Sequence, residues 1–193
     1  MWIRTVEPED ATGVLAEAYE RQRRRLGYVS EFTQLGSLYP ELVAVRLELY
    51  KVVDACPSNL PEWLKHAVAL TTSVLNRTPH CASGAGEKVR EAGKDHSLVE
   101  AIYADPLGAT TGDPAADALL AHVRKLVLRP WEITDADIDE LRDHGWSDLD
   151  ILDANNISAY YCYINRVANG LGCKTLTCAA PEMPPLEAVV YGR

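Results

Sequence analysis

The chain has 193 residues, of which 47% are hydrophobic and 24% charged, enough apolar material for one sizeable core and a single compact domain. A formal charge of -9 repels polyanions and excludes nucleic acid as a partner; the basic run Arg21, Arg23, Arg24, Arg25 falls late in an amphipathic segment, where cations complement a helix C-terminus and form a solvated face. Residues 1–20 hold no apolar leader and no run approaches the roughly 18 apolar residues of a spanning helix, while five cysteines (Cys56, Cys81, Cys162, Cys173, Cys178) are an odd number for a disulfide framework, so a soluble chain in a reducing cytoplasm, without a membrane partner, is expected.

Helix-capping residues and helix-stopping glycines recur along the chain, whereas alternating β-branched runs do not, and the predicted class is all-α. Thr12 is placed to cap a first helix that ends near Gly27. Pro40 opens a second, with Leu42, Val45, Leu49, Val52 and Val53 at the spacing of an apolar stripe. Pro61 opens a third, whose stripe of Leu64, Ala67, Val68, Thr71 and Leu75 runs to Asn76. Thr78 and Pro79 read as N-cap and first position of a short helix closed by Gly93, and Asp95 caps a further turn or two. Asp113 and Pro114 start a helix that runs through Leu119, Leu120, Val123, Leu126 and Val127 and that Pro130 terminates. Thr134 with Asp137, and Ser147 with Asp150, form capping boxes for the last two helices, the second of them long and ending near Gly170. The predicted domain spans residues 1–172; residues 173–193, with Pro181, Pro184 and Pro185, read as a tail draped over the body or over a neighbouring subunit. Nucleotide-binding, zincin and hydrolase motifs are absent.

Three segments carry a resemblance: Glu7-Pro8-Glu9-Asp10-Ala11-Thr12-Gly13, then Arg24-Arg25-Leu26-Gly27-Tyr28-Val29, then Tyr39-Pro40-Glu41-Leu42. A stronger one runs from Thr134 through Asp137, Leu141-Arg142, Gly145, Ser147-Asp148, Ile151-Leu152 and Tyr161 to Asn165-Arg166-Val167-Ala168-Asn169-Gly170-Leu171-Gly172. Over about residues 2–172 the chain resembles the peroxidase-related branch of the AhpD-like (carboxymuconolactone decarboxylase) superfamily. That resemblance implies an all-helical fold of two packed halves and a symmetric homo-oligomer. In the family, a Cys-x-x-Cys at a helix N-terminus reduces hydroperoxides, served by a glutamate on the preceding helix and a histidine after the second cysteine. Here only Cys81 and its neighbour His80 match. Thr78 stands at the first cysteine, Ala85 at the relay histidine and His66 at the glutamate. A Cys-x-x-Cys disulfide cannot form, so the two-cysteine cycle is excluded unless Cys162, Cys173 or Cys178 resolves a Cys81 sulfenate.

The remaining residues define the expected site. Cys81, third in its helix, meets free N–H groups and the positive dipole end, which favour a thiolate. His66, on the preceding helix, is the candidate base or proton donor, and His80 a second imidazole. Thr78 and Tyr161 are the candidate substrate-binding residues. The expected activity is single-cysteine or acid/base chemistry on a small organic molecule, of peroxidase, lyase, decarboxylase or isomerase type, with no cofactor. Two readings stand beside it: a zinc or copper site made by His66, His80 and Cys81, and a non-catalytic oligomeric scaffold in which Cys81 is a small buried hydrophobe. Tyr160, Tyr161 and Tyr163 share a helix on which aromatics serve core or subunit contacts as readily as a pocket.

Overall fold

A computed structural model describes residues 1–93 and 96–183, and within them the chain forms helices joined by turns and loops, with no strand. The helices in chain order are α1 (Gly13–Leu26), α2 (Glu31–Leu35), α3 (Pro40–Asp54), α4 (Glu62–Leu75), α5 (Pro79–Glu91), α6 (His96–Ala104), α7 (Pro114–Leu128), α8 (Asp135–Asp143) and α9 (Asp148–Leu171). Pro130–Glu132 add one 3₁₀ turn, as expected where proline stops α7.

Helix α4 organises the larger half. From His66 to Leu75 every residue is buried, so it needs neighbours on all sides, and α5, α6, α7 and α9 supply them. The resulting core joins Leu64, Val68, Leu70 and Val74 of α4 to Val99, Ile102, Leu119, Leu120, Val123, Ile151 and Ile157. The smaller half pairs α1 with α3 around Leu15, Ala18, Tyr19 and Val43, and leans on α9 through α2 and α3. This is the predicted all-α architecture of two packed helical halves.

Local signals placed most helix ends. Gly27 and Gly172 take left-handed conformations behind α1 and α9 (φ 82° and 79°), and the Ser147 hydroxyl accepts from the Asp150 N–H at 3.2 Å while Asp150 accepts from the Ser147 N–H at 2.9 Å. Helix α9 ends at Leu171 with Gly172 as its cap, near Gly170 as expected. Thr12 sits at the N-cap of α1 without a side-chain capping bond. Helix α2 was not foreseen: its cap is Ser30, whose Oγ accepts from the Thr33 N–H at 3.2 Å, and five residues are too few for a period. Asp95, Pro184 and Pro185 lie outside the described residues.

Helix α3 reverses an expectation. Its buried residues are Val43 and Arg46, while Leu42, Val45, Leu49 and Val52 are 41–68% exposed. The spacing is helical, but the stripe faces away from the core, because the groove beneath α3 is occupied by α1 and the Arg46 guanidinium.

Candidate functional site

The site forms where the two halves meet, over the N-terminus of α5. Arg77, the one non-glycine residue with positive φ among those described (53°), turns the chain sharply after α4, and Thr78 with Pro79 then opens α5 so that His80 and Cys81 fall in its first turn. A cavity of about 210 Å³ lies against them, walled by Phe32 and Thr33 of α2, Arg46 and Tyr50 of α3, Gly84, Ala85 and Lys88 of α5, and Tyr160, Tyr161 and Ile164 of α9. Thr177, beyond α9, closes one side. The lining is mostly apolar and aromatic with a few convergent polar groups, the composition of a small-molecule site.

Cys81 is 8% exposed and packs with Tyr160 and Ile164. Burial pushes its thiol far above the ordinary cysteine value, with Cys173 adding to the rise. The expected helix-end thiolate is overturned here: desolvation among aromatic rings outweighs the dipole, and the resting group is a thiol. Of Cys162, Cys173 and Cys178, Cys173 is the one whose charge bears on Cys81. Cys162 receives the Asn76 amide at 3.4 Å, and the Cys178 thiol donates to the Ser83 carbonyl at 2.9 Å.

His80 is set by the segment after α9. Its Nδ1 lies 2.6 Å from the Thr175 carbonyl oxygen, which can only accept, so Nδ1 is the donor there and the tautomer this selects has its lone pair on Nε2. The ring lies 6.2 Å from that of Phe32. Arg46 also stacks on the Phe32 ring, with its guanidinium carbon 4.3 Å from the centroid and Nη2 donating to the Phe32 carbonyl at 3.0 Å. Burial lowers the pKa of this guanidinium, which still remains a cation at the cavity wall.

His66 is elsewhere. It lines a second cavity of about 10 Å³, one water at most, with Tyr50, Asp54, Lys65 and Tyr161. Its Nε2 sits 3.2 Å from Glu62 Oε1, one turn back on α4, and burial followed by the Lys88 ammonium depresses its pKa. The two cavities share Tyr50 and Tyr161 in their walls, and His66 does not line the cavity that holds Cys81. The donor set His66, His80 and Cys81 is split accordingly. Thr78 is fully buried, with its hydroxyl donating to the Asn76 carbonyl at 3.3 Å, and does not line the cavity; Tyr161 does.

Sequence reasoning missed a polar chain on the wall between the cavities. Lys88 Nζ donates to the Tyr50 oxygen at 2.6 Å and to Asp54 Oδ1 at 3.1 Å, and the Tyr50 hydroxyl donates to the same carboxylate at 3.1 Å. Burial opposes both charges, yet each offsets it for the other: Tyr50 and Asp54 raise Lys88, while Lys88 and Tyr50 hold Asp54 below the usual carboxylate range. Tyr50 and Asp54 are an i,i+4 pair, the one signal the sequence offered; Lys88 joins from 34 residues away. Arg25, with its guanidinium carbon 4.5 Å above the Tyr50 ring, completes a cationic rim with Arg46 and Lys88.

No protein-family profile and no curated protein matches the chain in sequence. Solved structures match it in fold. The alkylhydroperoxidase AhpD-core, peroxidase-related protein of Ralstonia eutropha superposes with a TM-score of 0.80 at 20% identity, covering 98% of this chain and 94% of that one. A peroxidase-related protein of Silicibacter sp. gives 0.74 at 23% identity, covering 86% and 89%. A cysteine-to-alanine variant of the debrominase Bmp8, in complex with 2,3,4-tribromopyrrole, gives 0.72 at 20% identity and 89% of both chains. The chain therefore has the AhpD-like fold of peroxidase-related proteins.

Proposed function

We propose that the protein is an enzyme of single-cysteine type acting on a small, aromatic or otherwise apolar molecule that carries an acidic or phenolic group. The observation that carries this reading is the cavity itself: one thiol and one oriented imidazole, Cys81 and His80, in the wall of an aromatic pocket rimmed by Arg25, Arg46 and Lys88. As the Cys81 sulfur bonds to an electron-poor carbon of the guest, its S–H proton passes to the lone pair of His80 Nε2 and the electron pair of the attacked double bond moves onto the guest beside the cations; loss of the sulfur from this adduct restores that bond, and return of the proton regenerates the Cys81 thiol with no external oxidant or reductant. Tyr160 and Tyr161 stack against the guest, and the cations draw its acidic group. The debrominase with a tribromopyrrole in the same fold supports a small halogenated or electron-poor ring as a substrate class. The pairing of Tyr50 with Lys88 and Asp54 favours a second reading, acid/base turnover in which the Tyr50 phenol passes a proton to the guest.

Calorimetry against a panel of phenols and pyrroles, followed by turnover assays on the binders, tests both. The thiol reading expects Cys81→Ser to keep ligand affinity and lose turnover by at least about 10³-fold; the phenol reading expects that loss from Tyr50→Phe instead. A pocket that binds none of the panel, with neither variant altering any activity, leaves the scaffold reading in possession. We further propose that the protein assembles as a homo-oligomer through α3, whose exposed Leu42, Val45, Leu49 and Val52 follow the three-four spacing of helices that pack on helices. No described helix is long and apolar enough to cross a membrane.

A further inference from the structure

Among the described residues, three metal-ligating side chains of different chemistry converge at one point: Glu31 of α2, His80 of α5 and Cys173, just past α9. One donor atom from each lies within 4.8 Å of the other two, and Glu31 Oε2 stands 3.9 Å from Cys173 Sγ. A tetrahedral zinc with bonds of about 2.0–2.3 Å holds its donors roughly 3.3–3.8 Å apart, so the three need to close by about 1 Å. They come from three separate segments of the chain, and of the three only His80 lines the main cavity.

We propose that Glu31, His80 and Cys173 form a site for a divalent, thiophilic transition metal, zinc first among them. A thiolate, an imidazole and a carboxylate bring two negative charges to a dication and suit zinc, cobalt or copper while disfavouring magnesium and calcium, which take oxygen donors. The surroundings are those of a built site. The Nδ1–H of His80 is committed to the Thr175 carbonyl, the bond by which metal-bound histidines are ordinarily oriented from their far nitrogen, and it leaves the other ring nitrogen with its lone pair. Glu31 is held from its other oxygen, Oε1 lying 3.7 Å from the Met1 amino group. Cys173 is held by its own N–H, which donates to the Ala168 carbonyl at 2.9 Å, behind the left-handed Gly172. Three protein donors leave one coordination position open, as in catalytic zinc centres. The imidazole that would receive the Cys81 proton is also a metal donor, so metal loading and thiol chemistry would draw on the same ring.

The test is metal binding, independent of turnover. Reduced full-length protein is equilibrated with zinc, freed of excess and analysed for metal; cobalt is titrated as a spectroscopic probe. One equivalent of zinc and a thiolate-to-cobalt charge-transfer band are expected. Cys173→Ser should abolish the band, and Cys173→Ser and Glu31→Gln should each weaken binding at least about 100-fold, since even the loss of a residue that only orients a ligand costs about 10–100-fold. Circular dichroism confirms that each variant is folded, and Glu31, part-exposed, provides the gentler one. Cys81→Ser should keep the metal, which separates this site from the proposed thiol chemistry. Substoichiometric zinc in the wild type, undiminished affinity in both donor variants, or loss of the metal in Cys81→Ser with retention in Cys173→Ser overturns the proposal.

Discussion

Cys81 shows how environment decides what a thiol does. At the third position of α5 the helix dipole contributes about 0.3–1 kcal/mol toward the thiolate, whereas nearly complete burial against Tyr160 and Ile164 works in the opposite direction and wins. Alkylation of Cys81 by iodoacetamide, followed by mass spectrometry, should therefore be slow at neutral pH and rise about tenfold per pH unit through about pH 10 without a plateau, as reaction follows the thiolate fraction. A plateau below about pH 8 would show a thiolate already present at rest and contradict this electrostatic account. Gly172 is a second position where one residue matters. Its φ of 79° disfavours a side chain, and a Cβ there would stand 2.7 Å from the Trp2 indole. Gly172→Ala should destabilise the protein by about 1–3 kcal/mol in denaturant titration, through strain and a displaced Trp2; an unchanged midpoint would mean that the N-terminal segment does not hold the end of α9.

At the scale of helices, the legibility of the sequence followed the locality of the signal. Thr134 with Asp137 and Ser147 with Asp150 lie three residues apart, and their bonds are made as the pattern implies. Pro79 placed the start of α5, hence the position of Cys81 in it. What the pattern on α3 could not say is which partner its apolar side meets. Leu42, Val45, Leu49 and Val52 read as a core stripe, yet they face outward and Arg46 lies inward, because the guanidinium finds the Phe32 ring and carbonyl there. The exposed stripe yields a prediction for assembly: Val45→Glu with Leu49→Glu should convert the oligomer to monomer in sedimentation velocity without loss of helix content. A wild type that sediments as a monomer at all concentrations would refute the α3 interface. Helix α2, with only five residues, was invisible to periodicity and still supplies Glu31, Phe32 and Thr33 to the two candidate sites.

Over the whole molecule, buried histidines link stability to pH. Burial holds both His66 and His122 below the ordinary histidine value, with Lys88 acting in the same direction on His66 and Glu62 and Asn155 only partly opposing. The folded chain then releases these protons more readily than the unfolded chain. As the pH falls through about 6.5 the unfolded chain protonates first, and stability should drop by up to about 1.4 kcal/mol per unit for each group. Urea midpoints measured between about pH 8 and pH 5 should decline over that window, and His66→Gln with His122→Gln should flatten the profile; the depressed carboxylates Asp54, Asp137 and Asp150 act at lower pH, below about 4. A profile that is level from about pH 8 to pH 5 would contradict it.

By itself the sequence determined the all-helical class, the places where most of the longer helices start and stop, and the first-turn positions of His80 and Cys81, since caps, prolines and glycines act over three or four residues. Only the tertiary structure decided which side chains share a space. It set His66 behind Tyr50 and Tyr161, joined Lys88 to Tyr50 and Asp54, and brought Cys173 and Glu31 to His80. These partners lie far apart in the chain, 34 residues for Lys88 and Asp54 and 142 for Glu31 and Cys173, and their meeting depends on how α2, α3, α5 and α9 pack, which no local pattern encodes.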